Sequence, residues 1–409
     1  MRTPGHFSVR APGVVVSSFS LLGAFWGAWA MALPDIQRSF HLSDSALGVV
    51  LAVAVGTAGF AGAIVGRLAR HLRSLRLLAG LLVVWAVTAW PPEFTHSTAL
   101  FAVAFGVTQI AAGCVDAAMN APATVLFMDR PGSLVRFHAV FNIGALLGAL
   151  AASIALAAGA SWRVLWPAIS VITLIAATIS LRSDPGVILD KDHVSHSPTL
   201  TPLGESAPRS ASIDRSLRSD GLLAFLFVFA LAEITEGGAF TWGVLYLRHH
   251  LHAGILVGAG AYVIGHAIAA LARLLGAGVL GRVPIARAFI IGSAICAGGL
   301  ALEVATNSPF LAALGLTGAT AGTSFFWPLV MGTIAQRSSS PGRAVGTFTA
   351  AGYVGWVAGA PLIGFASDRV GPRAGLLVMA AICLVVIVAV SLGVVPSGPA
   401  KSTVPGSVS

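Results

Sequence analysis

The sequence predicts an all-α membrane protein with twelve transmembrane helices arranged in two pseudo-symmetric six-helix halves. Hydrophobic residues make up 56% of the 409 residues and charged residues only 10%, whereas an ordinary soluble domain has about 25% charged residues. The apolar residues fall into twelve runs, each near the roughly 20 residues that a helix needs to cross a bilayer. Six runs lie on either side of one long polar stretch.

The first six runs form the predicted N-terminal half, residues 1–181. They cover 14–36, 45–69, 75–92, 98–121, 135–159 and 162–181. Arg2 and Arg10 precede the first run, and Ala-Trp-Ala at 28–30 is similar to a signal-peptidase site. Because so many further spans follow, we interpret this run as the first transmembrane helix.

The polar stretch at 182–220 is rich in Ser, Pro, Asp and Arg and has too few apolar residues to fold alone. We interpret it as a flexible cytoplasmic linker. The second half, predicted for 221–395, contains runs at 221–247, 254–280, 285–304, 308–335, 342–366 and 374–395. Residues 396–409 form a predicted cytoplasmic tail.

Glycine spacing predicts close helix packing in both halves. Pairs four residues apart, which let two helix backbones approach, are Gly62 with Gly66, Gly144 with Gly148, Gly318 with Gly322, and Gly355 with Gly359.

Basic residues predict the orientation of the chain. If the N-terminus is cytoplasmic, eighteen of the 24 Lys and Arg residues fall on the cytoplasmic side, five fall outside, and Arg273 lies within a helix. Cytoplasmic loops of membrane proteins are enriched in these residues. We therefore expect both termini in the cytoplasm.

Several segments give the chain its resemblance to a known family. They are Pro34-Asp35-Ile36 with Leu42-Ser43-Asp44, Asp116-Ala117-Ala118-Met119-Asn120, Phe137-His138, Glu236-Gly237-Gly238 through Trp242, and Arg273-Leu274-Leu275-Gly276. The sequence resembles the major facilitator superfamily, and within it a branch of bacterial permeases near fucose-permease-like and rhizopine-transport-like proteins. The resemblance implies a bacterial inner-membrane secondary transporter that works by alternating access, and uptake of a small polar solute such as a sugar or sugar derivative.

The chain departs from the family pattern at two places. The family's gate loop between the second and third helices usually carries an acidic residue that pairs with arginines, and here Arg67 and Arg70 stand in a loop without one. An Asp that precedes the tryptophan of helix seven in the branch is Thr241 here. The gate is therefore expected to be weaker or differently built.

Helix four carries a polar stripe. Gln109, Asp116 and Asn120 are spaced i, i+7 and i+11, which places them on one helical face. Polar groups at membrane depth are costly and usually face a cavity or a partner. The stripe is therefore a candidate to line a substrate or proton pathway. A hydrogen-bond network with His138 and Asn142 of helix five explains the pattern equally well.

Helix seven carries Glu233 and Glu236 about halfway along its length. Desolvation there favours the neutral carboxyl, so a proton can be exchanged near neutral pH. Glu236, which matches the branch motif, is the first candidate for proton coupling or substrate binding. The alternative for Glu233 is a structural ion pair with Arg273 or His266 of helix eight.

Aromatic residues inside the spans are further candidates to line a pathway, although interfacial belts also explain tryptophans. They are Trp26, Trp29, Trp242, Trp327 and Trp356. Trp242 is the one that we include among the site residues.

Other classes of function are disfavoured. The net charge of +9 is scattered between apolar runs, so a nucleic-acid partner is not expected. Cys114, Cys296 and Cys383 lie in apolar runs, which argues against disulfides or a metal site. No hydrolase, zinc-protease or phosphate-loop motif is present, so we expect neither an enzyme nor a bound cofactor.

We therefore expect a monomeric carrier whose partners are a small solute, protons and the bilayer. Drug or metabolite efflux is the alternative within transport. A membrane receptor that senses a ligand without transporting it is the alternative from another class.

Overall fold

The computed structural model describes residues 11–68, 75–127, 133–183, 222–279, 283–337 and 341–395. Within these ranges the chain is helical and has no β-strand, and twelve helical segments are long and apolar enough to cross a membrane. The prediction of twelve transmembrane helices is confirmed. The predicted linker and tail fall almost entirely outside the described ranges.

The first half contains six helices, and short 3₁₀ turns at Pro91–Phe94 and Trp162–Val164 adjoin the third and sixth of them. Their bounds are α1 Ala11–Ser39, α2 Asp44–Leu68, α3 Leu75–Thr88, α4 Thr98–Phe127, α5 Ser133–Ala157 and α6 Leu165–Ser183.

The second half repeats this pattern, with a π-helical turn at Tyr246–His250 after its first helix and a tenth segment in two parts. The bounds are α7 Leu223–Leu245, α8 Ile255–Val279, α9 Ile285–Ala305, α10a Pro309–Thr323, α10b Phe326–Arg337, α11 Pro341–Val370 and α12 Pro372–Ser391.

The tenth apolar run, predicted at 308–335, forms one span from Pro309 to Ile334, and this span contains a helix break that the sequence analysis did not predict. α10a ends at Thr323 and α10b begins at Phe326. Pro328 has no N–H to donate to the carbonyl of Ser324, four residues earlier, so the regular helical bond cannot form there. The Ser324 carbonyl is consequently available to another donor.

The close helix packing predicted from glycine spacing is found between α1 and α5. A Cβ atom added to Gly144 would collide with the main-chain oxygen of Ser20, and one added to Gly148 would collide with that of Ala24. Gly23 and Gly27 of α1 face the α5 backbone in the same way. The two helices are therefore in backbone contact, which only glycine allows at these four positions.

A packed aromatic core fills the first half near the α1–α4–α6 contact. The ring of Trp29 stacks on Phe105 at 4.2 Å and lies 5.4 Å from Trp166. Trp29 is 2% exposed, so this candidate aromatic belongs to the core. The outer surface of the helices is also apolar. The side chains of Phe60 and Phe227 are more than half exposed, as expected for side chains that face lipid.

Connections after odd-numbered helices lie at one end of the bundle, which we call the odd-loop face. The even-numbered helices end at the other end of the bundle, which we call the even-loop face. The cross-half contacts described below are concentrated at the odd-loop face and at mid-depth.

Candidate functional site

Two acidic side chains of α7 and one arginine of α8 meet in the second half. Arg273 Nη2 lies 3.7 Å from Glu236 Oε1. The carboxyl groups of Glu233 and Glu236 also interact with each other, and Arg273 acts electrostatically on both. If both carboxyl groups are ionised, this acid cluster, defined as Glu233, Glu236 and Arg273, has one negative charge in excess.

The three side chains differ in accessibility. Glu233 is 0% exposed, whereas the side chains of Glu236 and Arg273 keep 9% and 10% of their surface. Glu233 Oε1, Glu236 Oε2 and Arg273 Nε are buried and have no hydrogen-bond partner among the described residues. Because unpaired buried polar atoms cost free energy, a bound proton or polar ligand would stabilise this cluster.

The break in the tenth segment positions the arginine. Arg273 Nη2 donates to the main-chain oxygen of Ser324 at 3.2 Å, which is the carbonyl released by Pro328. A cation beside the carboxyl end of α10a is also favoured by the helix dipole. Pro328 in the tenth segment thus helps to position the guanidinium of Arg273, which belongs to α8.

Glu233 is held by α11. The indole Nε1 of Trp356 donates to Glu233 Oε2 at 2.9 Å. Gly237 and Gly355 allow this contact, because an added Cβ would lie about 3.0 Å from the Trp356 ring and from Glu233 Cβ respectively. The alternative in which Glu233 pairs with His266 is wrong, since His266 lies against Tyr262 and Phe240, with its Nδ1 3.2 Å from the Tyr262 main-chain oxygen.

The polar stripe of helix four is divided by the structure. Asp116 and Asn120 are half-buried, and Asn120 Nδ2 donates to Asp116 Oδ1 at 3.0 Å. Tyr353 of α11 donates its hydroxyl to Asp116 Oδ2 at 3.2 Å, which joins the two halves. Gln109 is 0% exposed, and its amide has no partner among the described residues.

The sequence predicted a hydrogen-bond network between Asp116 and two residues of helix five, His138 and Asn142. The contacts that the structure shows for these two residues are different. Asn142 donates to the main-chain oxygen of His138 on its own helix at 3.5 Å. The His138 ring packs edge-on against Phe19 and lies within electrostatic reach of Arg273 across the halves. α5 also packs against α8, the helix that carries Arg273.

Of the three remaining site residues, the structure describes the side chain of Trp242 alone. Trp242 is buried and lines a separate cavity of about 120 Å³ near the odd-loop face, together with Tyr246 and Ser367. The predicted gate residues are Arg67 and Arg70. The side chain of Arg67 and the whole of Arg70 lie outside the described residues.

The odd-loop face is closed by contacts between the halves. Asp368 at the end of α11 accepts hydrogen bonds from the backbone N–H groups of Asp44 and Ser45 at 3.0 and 2.9 Å and from the Ser45 hydroxyl. Arg248 contacts Asp35 at 3.4 Å, and His249 Nε2 lies 3.1 Å from the Pro34 oxygen.

Sequence reasoning missed Tyr353 and Ser324. Tyr353 lies three residues before Trp356, so the two polar aromatic groups share a face of α11, and this spacing was an available signal. Pro328 was an available signal that the carbonyl of Ser324, four residues earlier, lacks its helical donor. Neither signal indicates which helix supplies the partner, α4 for Tyr353 and α8 for Ser324.

Comparisons with known proteins agree with this architecture. The sequence profile described as Major Facilitator Superfamily matches residues 14–360. An uncharacterised MFS-type transporter of Yersinia pestis is 24% identical over 384 residues, covering 89% of this chain and 92% of the relative. The membrane protein MosC of Rhizobium meliloti is 25% identical, covering 91% and 87%.

Two solved structures have a similar fold. A mutant of the nucleoside transporter NupG superposes with a TM-score of 0.73 at 15% identity, covering 92% of this chain and 98% of that one. A bacterial homologue of the human lysosomal transporter Spinster, in an inward-facing and unoccupied conformation, gives 0.71 at 12% identity, covering 93% and 95%.

Proposed function

The chain belongs to the Major Facilitator Superfamily, and from that membership we propose that it is a proton-coupled secondary transporter of a small polar solute, with a sugar or sugar derivative as the first substrate class to test. That it is a multi-pass membrane transporter and not an enzyme follows from the family. The proton, the solute class and the direction of uptake are our proposal.

The excess carboxyl of the acid cluster carries this proposal. Arg273 can neutralise only one of Glu233 and Glu236, so the second requires a proton or a cationic group when water is excluded. Glu236 keeps some accessibility and Glu233 keeps none. We therefore assign proton exchange to Glu236, with Glu233 held by Trp356 as its fixed neighbour.

His138, Asp116 and Asn120 extend the proposed pathway into the first half. His138 lies within electrostatic reach of Arg273, and Asp116 is bonded to Tyr353. Rocking of the halves would break or remake such cross-half contacts, which couples the charge state of the cluster to the conformation. Solute binding between the halves would use the same groups.

For orientation, we propose a bacterial inner-membrane location with both termini in the cytoplasm. The closed odd-loop face is then extracytoplasmic. A single cysteine at Ser197 tests this. It should react with a membrane-impermeant thiol reagent only after the cells are opened, and labelling of intact cells contradicts the orientation.

The experiment on coupling compares Glu236→Gln with wild type in proteoliposomes. A thermal-shift screen with sugars, nucleosides and amines first identifies a solute. Glutamine mimics the protonated acid, so the variant should retain counterflow between internal and external solute but lose accumulation driven by a pH gradient.

Glu303→Gln is the matched control. Glu303 is also a fully buried acid of the second half, on α9, with no hydrogen-bond partner for its carboxyl among the described residues, and we give it no part in the pathway. It should accumulate solute like wild type. Undiminished accumulation in Glu236→Gln removes Glu236 from coupling and shifts attention to Glu233 and Asp116.

A further inference from the structure

A second cavity lies at the odd-loop face, away from the acid cluster. Its volume is about 530 Å³. The first half contributes Asp35 and Arg38 of α1 and Arg163 of the α5–α6 connection, and the second half contributes Arg248 of the turn after α7. The cavity therefore spans the boundary between the halves.

The lining has an excess of positive charge. Three guanidinium groups face one carboxylate, because Arg38 and Arg248 both pair with Asp35. Even if the buried carboxyl of Glu93, which lies near Arg163, is counted as ionised, one positive charge remains. Two arginines that share one acid retain N–H donors for a further acceptor, since each guanidinium has five.

Arg163 is held in place by its surroundings. Its guanidinium lies over the Trp162 ring at 4.5 Å from the centroid and 5.8 Å from that of Phe40, and one nitrogen donates to the main-chain oxygen of Glu93. Trp162 in turn donates from Nε1 to Ser39 at 3.0 Å. A guanidinium oriented by stacking loses little side-chain entropy when it binds an anion.

The positions of these arginines are unusual for the chain. Arg38, Arg163 and Arg248 are three of the five basic residues assigned to odd loops, where charge bias disfavours them. All three line the same cavity. Gathering them costs electrostatic repulsion, which a bound anion would relieve.

We propose that this cavity binds an anionic oxygen group, a carboxylate or phosphate, on Arg38, Arg163 and Arg248. Planar guanidinium groups match such groups in a bidentate geometry. The ligand is either a soluble anion or the headgroup of an anionic lipid, because the apolar side chains of Leu156 and Ile255 also line the cavity. The proposal does not depend on proton coupling at Glu236.

Thermal stability of the full chain in neutral detergent provides the first test. Inorganic phosphate and glucuronate are titrated against glucose, with chloride keeping the ionic strength constant. We expect a saturable rise in melting temperature for the anions. Arg163→Gln should weaken the apparent affinity by roughly ten- to a hundred-fold, the loss expected for one charge-assisted contact.

A second arm distinguishes the lipid source. The protein is placed in nanodiscs of phosphatidylcholine with or without phosphatidylglycerol, and retained lipid is counted by native mass spectrometry. Preferential retention of phosphatidylglycerol, lost in Arg163→Gln, supports a headgroup, whereas binding of the soluble anions alone supports a solute.

Two further variants make the tests decisive. Arg38→Gln changes a side chain that is 62% exposed, so it should fold normally even if Arg163→Gln does not. Arg369→Gln alters an exposed arginine of the same face outside the cavity and should bind like wild type. Absence of saturable binding by both anions and phosphatidylglycerol overturns the proposal, as does unchanged binding in Arg38→Gln and Arg163→Gln.

Discussion

Asp368 is expected to hold the odd-loop face closed. Its carboxylate accepts bonds from two backbone N–H groups and one hydroxyl at the start of α2. Asp368 belongs to the second half and its partners belong to the first. Asp368→Ala removes all three bonds and should therefore act on the equilibrium between closed and open conformations.

The size of the effect follows from these contacts. Each exposed hydrogen bond contributes about 0.5 kcal/mol after competition with water, so three contribute about 1.5 kcal/mol. Since 1.4 kcal/mol is a tenfold change in an equilibrium constant, an open state populated at about 1% would rise to about 10%.

Double electron–electron resonance measures this population. Spin labels are attached at Ser97 in the α3–α4 connection and at Ala305 at the end of α9, both exposed at the odd-loop face, one in each half. The three native cysteines are replaced by alanine. Asp368→Ala should add a longer-distance component, and the exposed neighbour Arg369→Ala should not.

A lower melting temperature with an unchanged distance distribution would refute this reasoning. Asp368 would then contribute to folding in both conformations alike, and the three bonds would have no differential effect on them.

Three other substitutions test packing and the site. Gly148→Val should lower stability by roughly 1–3 kcal/mol because its side chain meets the α1 backbone, while Gly80→Val, where nothing lies within 4 Å, should change the melting temperature little. Trp356→Phe should lower the free energy of unfolding, measured by chemical denaturation, by about 1.5–3 kcal/mol, since Glu233 loses its indole donor. Adding Glu233→Gln to this variant should recover part of the lost stability. Asp116→Asn should abolish solute transport at a near-wild-type melting temperature; a destabilised but active variant would make Asp116 structural.

Sequence patterns predicted the helices well but were less accurate at their ends. The eleventh run was expected to end at 366, and α11 continues to Val370. Asp368 and Arg369 end the apolar run but not the helix, since an exposed polar side chain leaves the backbone bonds intact. The tenth run forms one span as predicted, but its hydropathy did not indicate the break inside it, because Pro328 removes a backbone hydrogen bond without interrupting the hydrophobicity.

The candidate site was only partly predictable. Glu233, Glu236 and Arg273 were identifiable because charged groups inside apolar runs are rare and costly. Their pairing was not, because Glu233 finds its donor on Trp356, 123 positions later in the chain. Gln109 shared a face with Asp116 by periodicity, yet Gln109 is fully buried and Asp116 meets α11.

The sequence by itself determined that this chain is a twelve-helix membrane protein of its family, since apolar length, hydropathy and motif residues are local properties. Only the tertiary structure decided which helix supplies the partner of each buried polar group and that three scattered arginines line one cavity. Such choices depend on distances between helices far apart in the chain. Those distances are set by glycine contacts and helix breaks acting together, and no single segment encodes them.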